Sequence, residues 1–403
     1  MTTNASCGEE SSRAVKRIAS IDIFRGLNVL LMIFVNNLSV VAGLPWWTYH
    51  RGDVNGMTYV DMVFPGFLFL MGMSIPLSLD ARVTRGQSKA EIWAHVVARS
   101  LSLLVLGLFI ANAEHVDARH THISGGWWTS LGLMGIALVW MRFPGEDRRK
   151  VLYRTIRYAG LVVMAVLFVM FRRVTPEGQP AGLDFSYWEI LGLLGWAYLL
   201  VSALCLLFAK RIKILLAAFA VMVALNTLST LGWLNWINTG PLYWNPFEAG
   251  LSSLTMAGVL ASFVIVGNTL APTFQQKTRW ILGAAAILFA IGFALQPLGI
   301  SKNRDTPTWC LYCTAANLLI ALLLLWIADV KGWRAWASFA KSAGESPLLP
   351  YLLAYIPFLL PQLYWMTAIG TSGSWGVLRA VFLTGLVLAV STLLMRSGVR
   401  LRV

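Results

Sequence analysis

Apolar residues in this chain come in runs of about 20, long enough to cross a bilayer as helix, rather than in alternation or in soluble-domain stripes. Twelve such runs stand out, at 22–43, 58–79, 93–113, 127–143, 152–171, 188–208, 212–230, 250–270, 279–297, 308–328, 348–369 and 376–395. The run at 127–143 is short and the one at 212–230 is weakly bounded, so the pattern predicts 11 or 12 spans. The intervening loops reach only about 20 residues, too few for a soluble domain. The expected architecture is therefore a single all-α polytopic bundle over 17–403. No internal repeat is visible, which weakens an inverted-repeat transporter reading.

Basic residues give the bundle a direction. With the N-terminus placed inside, 25 of the 32 Lys and Arg fall in inner segments, and seven (Arg51, Arg119, Arg172, Arg173, Lys302, Arg304 and Arg379) fall in outer ones. A missed or false span would scramble this bias, so both termini are expected in the cytoplasm and His50 outside. The net charge of +14 is thus topological, and nucleic acid is not an expected partner. Charged residues make up only 12% of the chain, about half of what a soluble domain carries. Residues 1–16 are polar with no apolar core, which predicts a disordered cytoplasmic tail rather than a signal peptide. Cys310-Leu-Tyr-Cys313 has redox-like spacing but opens an apolar run with no companion His or second pair, so two small helix residues are expected. Tryptophans at the outer ends of spans, Trp46 and Trp47 among them, suit an interfacial belt or a sugar-stacking surface.

No metal signature, glycine-rich phosphate loop or nucleophile elbow is present. His95 reads as a packed residue, while His115, His120 and His122 share an outer loop with Glu114 and Asp117 and read as solvated. His50 differs, because it lies between a span bearing Asn36 and a span opened by Asp61. A neutral imidazole can take a proton from an attacking amine or hydroxyl, and a carboxylate on its other nitrogen would fix the tautomer. Asp61 is the candidate orienter, and Asn36 or Asn55 could donate to a developing oxyanion. Equally, Asn55-Gly56 is a turn and Asp61 a helix-start charge; both readings stand on chemistry alone. At the inner end, Asp22 and Arg25 are spaced for an i, i+3 pair or, with Arg85, Lys89 and Arg99, for an anion site. Lys302 and Asn303 bring polar groups to the same side as His50 and could bind sugar hydroxyls or a carbonyl oxygen.

These residues also carry a resemblance. Arg17-Ile-Ala-Ser-Ile-Asp22-Ile-Phe-Arg25-Gly26, Phe34-Val-Asn36, His50, Asn55-Gly56-Met-Thr-Tyr-Val-Asp61-Met-Val-Phe-Pro65 and Ile300-Ser-Lys302-Asn303 resemble the heparan-α-glucosaminide N-acetyltransferase family of transmembrane acyltransferases. The match is dense from about 17 to 113 and looks most like the shorter bacterial branch associated with amino-sugar use. It implies acetyl transfer from cytosolic acetyl-CoA to a sugar amine across the membrane, in a multi-pass protein of the bacterial inner membrane. His50 matches the family's catalytic histidine. Asn36, Asp61 and Lys302 match polar pocket positions, and Arg25 matches the first-span arginine near the coenzyme. The large outer loop of the lysosomal enzyme is absent, and Thr129-Ser-Leu-Gly-Leu-Met-Gly-Ile136 replaces another family segment, so a glucosamine-type mono- or disaccharide is the expected acceptor.

The expected site is then His50, Asp61 and Asn36 for the chemistry, and Asn55, Lys302 and Asn303 for the acceptor. Arg25, Arg85, Lys89 and Arg99 are expected at the coenzyme phosphates. Direct transfer and an acetyl-histidine intermediate are both compatible with it, as is a homodimer. The rivals are a proton-coupled amino-sugar transporter and an O-acetylase of a periplasmic glycan.

Overall fold

The computed structural model describes residues 18–52, 55–142, 149–208, 211–237, 249–267, 270–359 and 365–401. The tail expected at 1–16 lies outside the described residues. Every apolar run carries helix. In order these are α1 (Ala19–Leu38), α2 (Val63–Thr84), α3 (Lys89–Ala113), the short α4 (Ala118–Thr121), α5 (Gly125–Trp140), α6 (Lys150–Met170), α7 (Glu189–Phe208) and α8 (Ile212–Thr230). There follow α9 (Gly250–Ile265), α10 (Phe274–Ala294), α11 (Pro307–Leu324), α12 (Lys341–Glu345), α13 (Leu348–Leu359), α14 (Trp365–Ala368) and α15 (Gly373–Arg396). Among the described residues, nine helices are long and apolar enough to span a membrane; α5 and α9, at 16 residues, and α13, at 12, are shorter. Strand is confined, among the described residues, to two-residue ribbons pairing Met141–Arg142 with Arg400–Leu401 and Arg173–Val174 with Pro180–Ala181.

Helix ends depart from the apolar runs where polar groups intervene. Asp329 accepts from the Ala19 and Ser20 amides at 3.2 and 3.0 Å, satisfying two open N–H groups and starting α1 ahead of its apolar run. α1 stops at Leu38 rather than 43, because Ala42 leaves the helix to bond the backbone beside α15: its amide donates to Thr371 O at 2.7 Å and its carbonyl accepts from Gly373 N at 3.0 Å. The run at 348–369 is not one continuous described helix but α13 and α14, with 360–364 outside the described residues.

α1, α2 and α11 are the most enclosed long helices, whereas α6, α8 and α10 are largely turned outward. α2 packs closest on α9, α3 on α7, α10 on α11 and α5 on α6. The α2–α9 seam needs glycine. A Cβ at Gly72 would sit 1.9 Å from Thr255 O, and one at Gly258 would sit 2.0 Å from Phe69 O. Small residues let backbones meet this closely where lipid supplies no hydrophobic drive between helices. On its other side α2 faces a space shared with α1, α3, α7 and α13, and the candidate site occupies it.

Candidate active site

The site begins with a cap. Thr58 precedes the 3-10 turn Tyr59–Met62 that opens α2, and its hydroxyl accepts from Val60 N at 3.2 Å while Asp61 Oδ2 accepts from Thr58 N at 2.9 Å. That cap occupies one carboxylate oxygen. The other, Oδ1, lies 2.7 Å from His50 Nδ1. Asp61 is therefore both a helix-start charge and the partner of His50, one oxygen for each. Its side chain is 3% exposed, against 38% for His50, so the carboxylate is walled in while the imidazole reaches solvent. Because an ionised carboxylate only accepts, Nδ1 is assigned the proton and Nε2 keeps its lone pair.

The loop bearing His50 is tied at several points. Tyr49 donates its hydroxyl to Val41 O and accepts from Leu44 N at 3.1 Å, and Thr58 Oγ1 donates to Tyr49 O at 2.9 Å. Across the bundle, Ile300 N donates to Asn55 Oδ1 at 2.7 Å and Gly56 N to Ile300 O at 2.9 Å. Asn55 thus serves as a clamp between two loops. The clamp brings Lys302 in: its Nζ lies 3.5 Å from His50 Nε2, the lone-pair side of the ring. Burial pushes the Lys302 amine below the ordinary lysine range, while the Asp61 carboxylate pulls it back. Asn36 sits in the last turn of α1, part-buried, and its side chain makes no hydrogen bond to the His50–Asp61 pair among the described residues. Asn303 is exposed in the turn that follows Lys302.

Beneath this group a cavity of about 360 Å³ runs along α2, in the size range of small-molecule sites. It is lined on α2 from Phe67 to Ser78, a rise of about 16 Å at 1.5 Å per residue. Its Phe67 end stops about 10 Å along the axis from Asp61. Two of the four expected coenzyme residues line it, Arg25 and Arg99. Arg25 is already engaged: it bonds Ser74 Oγ at 2.8 Å, Gly344 O at 3.2 Å and Asp22 Oδ1 at 3.3 Å. That clamp depends on the close seating of 340–344 on α1, where a Cβ at Gly26 would meet Ala340 O at 2.2 Å. The Arg99 guanidinium instead lies over the Tyr198 ring, 4.9 Å from its centroid, with Nε buried and lacking a hydrogen-bond partner among the described residues. Arg85 and Lys89 stand exposed at the α2–α3 turn and do not line the cavity.

Three residues the sequence reading passed over sit at the upper part of this space. Glu189, fully enclosed at the start of α7, accepts from Tyr351 OH at 2.6 Å, Tyr355 OH at 3.0 Å and Leu191 N at 3.0 Å. It holds φ at 55°, left-handed and strained for a non-glycine residue. An acid at the edge of an apolar run was the available signal. The outer-loop histidines gather no cluster of three metal-ligating groups among the described residues; His120 pairs with Asp117. Cys310 and Cys313 are buried in α11, with Cys310 Sγ 3.2 Å from Asp305 Oδ1.

Fold and site together define a polytopic all-α membrane protein with a histidine–carboxylate pair above an internal cavity. Comparison with known proteins agrees. Residues 17–172 match a family model described as "Domain of unknown function (DUF5009)". The chain is 37% identical over 107 residues to the heparan-alpha-glucosaminide N-acetyltransferase of Mus musculus, and 38% identical over 99 residues to that of Homo sapiens. These stretches cover 27% and 25% of this chain but only 16% and 14% of the two relatives. That part of the chain is similar to the two heparan-alpha-glucosaminide N-acetyltransferases, of whose own length it spans about a sixth. The family-model match holds His50, Asp61, Arg25 and Arg99, while Lys302, Glu189 and Tyr351 lie beyond it.

Proposed function

We propose that the protein is a transmembrane acetyltransferase that moves an acetyl group from acetyl-CoA to the amine of a small amino sugar. The observation that carries this reading is the cavity along α2. It starts among arginines, one of them with no anion partner among the described residues, and ends short of the carboxylate that holds His50. Arg99 would take a coenzyme phosphate, and the slender pantetheine arm would lie along α2 with its thioester toward His50. The acceptor amine attacks the thioester carbonyl while His50 Nε2 takes its proton, and Asp61 stabilises the imidazolium that forms. The Lys302 ammonium, next to Nε2, stabilises the tetrahedral oxyanion. Asn303 and Asn55 edge the acceptor side.

The charge bias supports His50 at the outer face, the arginine end at the cytoplasm and both termini inside. The resemblance to the shorter bacterial branch supports the inner membrane and a mono- or disaccharide acceptor. Purified protein given acetyl-CoA and glucosamine should yield free CoA and N-acetylglucosamine by mass analysis. No coenzyme consumption with any member of an amino-sugar panel would overturn the reading.

A further inference from the structure

The transfer has two proton tasks, and His50 performs one. The acceptor must lose a proton, and the departing sulfur must gain one, because a thiolate set free in an apolar cavity has no water to stabilise it. The cavity's only titratable lining groups among the described residues are Arg25, Arg99, Tyr198, Glu345 and Tyr351. The first two stay charged, Tyr198 lies beneath Arg99, and Glu345 adjoins the Gly344 carbonyl that binds Arg25, so these four belong to the arginine end. Tyr351 is placed differently. It meets Glu189, the residue just before Ile190 and Leu191, which line the cavity at the start of α7. Glu189 is enclosed at the start of α7 and has no Lys or Arg within ion-pair distance among the described residues.

We propose, on the acetyl-transfer reading above, that Glu189 and Tyr351 form a second acid–base pair that protonates the departing thiol. The acceptor nitrogen forms the new bond to the acetyl carbon and yields its proton to His50 Nε2. The C–S bond breaks with its electron pair on sulfur. Glu189, entering as the carboxylic acid and so donating to the Tyr351 oxygen instead of accepting from it, passes its proton through that hydroxyl to the sulfur, and the coenzyme leaves as a neutral thiol. The Glu189 carboxylate then regains a proton as His50 sheds one to water, so the cycle consumes none. Tyr355, on the same carboxylate oxygen, positions Glu189.

The test compares two donors in the purified full-length protein with glucosamine: acetyl-CoA, and S-phenyl thioacetate, whose thiol is acidic enough to depart unprotonated. Glu189→Gln and Tyr351→Phe should each lower kcat with acetyl-CoA by about 10²-fold, the usual worth of one positioned acid, and leave its KM nearly unchanged. The same variants should lose under about tenfold with the phenyl thioester. An unchanged KM also reports that the variant is folded. Equal losses with both donors, or a raised acetyl-CoA KM at retained kcat, would overturn the proposal and leave the cluster as a strut between α7 and α13. A wild-type protein that transfers acetyl from neither donor would instead sink the acetyl-transfer reading itself.

Discussion

The two ends of the cavity are built on opposite principles. At the His50 end the groups are already paired: Asp61 to Thr58 and His50, Lys302 to His50, Asn55 to Ile300. The ring is oriented before any substrate arrives, which is what proton transfer needs. At the arginine end, by contrast, one cation is spent on the protein and one is not. Arg25 ties α1 to α2 and to Gly344, while Arg99 rests on an aromatic face with a buried nitrogen unserved. Chemistry is pre-organised at one end, and the other keeps a vacancy for charge. Residues of one type, on neighbouring helices and at one cavity, therefore have different jobs.

Substitutions can break this contrast in order of effect. His50→Ala should cost about 10²–10⁴ in acetyl transfer with intact acetyl-CoA binding, read by steady-state kinetics and by calorimetry on the same preparation. Retention of most activity would remove His50 from the chemistry. Asp61→Asn should follow at about 10²-fold in kcat, because an amide can donate to Nδ1 and reverse the tautomer. Arg99→Ala should raise the KM for acetyl-CoA by about tenfold, the value of one charge-assisted hydrogen bond, with kcat nearly kept. Arg25→Ala should instead lower the melting temperature of the detergent-solubilised protein by a few degrees. If the two arginine variants behaved alike, the contrast at that end would be gone. The mildest effect is in pH. With burial setting the direction, Lys302 loses its charge at lower pH than an ordinary lysine of about 10.4. Activity should thus fall on the alkaline side earlier than such a lysine would give, and Lys302→Arg, which cannot deprotonate, should remove that limb.

What could be read from the chain follows from how far apart its partners lie. His50 and Asp61 are 11 residues apart, joined by a loop too short to separate them, and their pairing was legible along with the helices. Glu189 and Tyr351 are 162 residues apart, and Asn55 and Ile300 are 245 apart. Nothing in local pattern announces such contacts, so Glu189 went unnoticed and the tie of Asn55 to Ile300 was not legible. Arg25 and Arg99 looked equivalent because both sit near the inner ends of spans. Only packing reveals that Gly344 and Ser74 claim one of them. The α1 end was misjudged for a similar reason, since the strand-like bridge of Ala42 to Ser372 is a long-range contact.

That bridge has a consequence for how the protein is made. The stretch just before the His50 loop borrows its backbone partners from the threshold of α15, which is synthesised long after it. The early part of the chain, residues 17–172, which carries His50 and the family match, is therefore left waiting through synthesis for this edge to be closed. A fragment ending after residue 172 would hold the imidazole and its carboxylate yet lack this closure, so the shared segment is not a transplantable module.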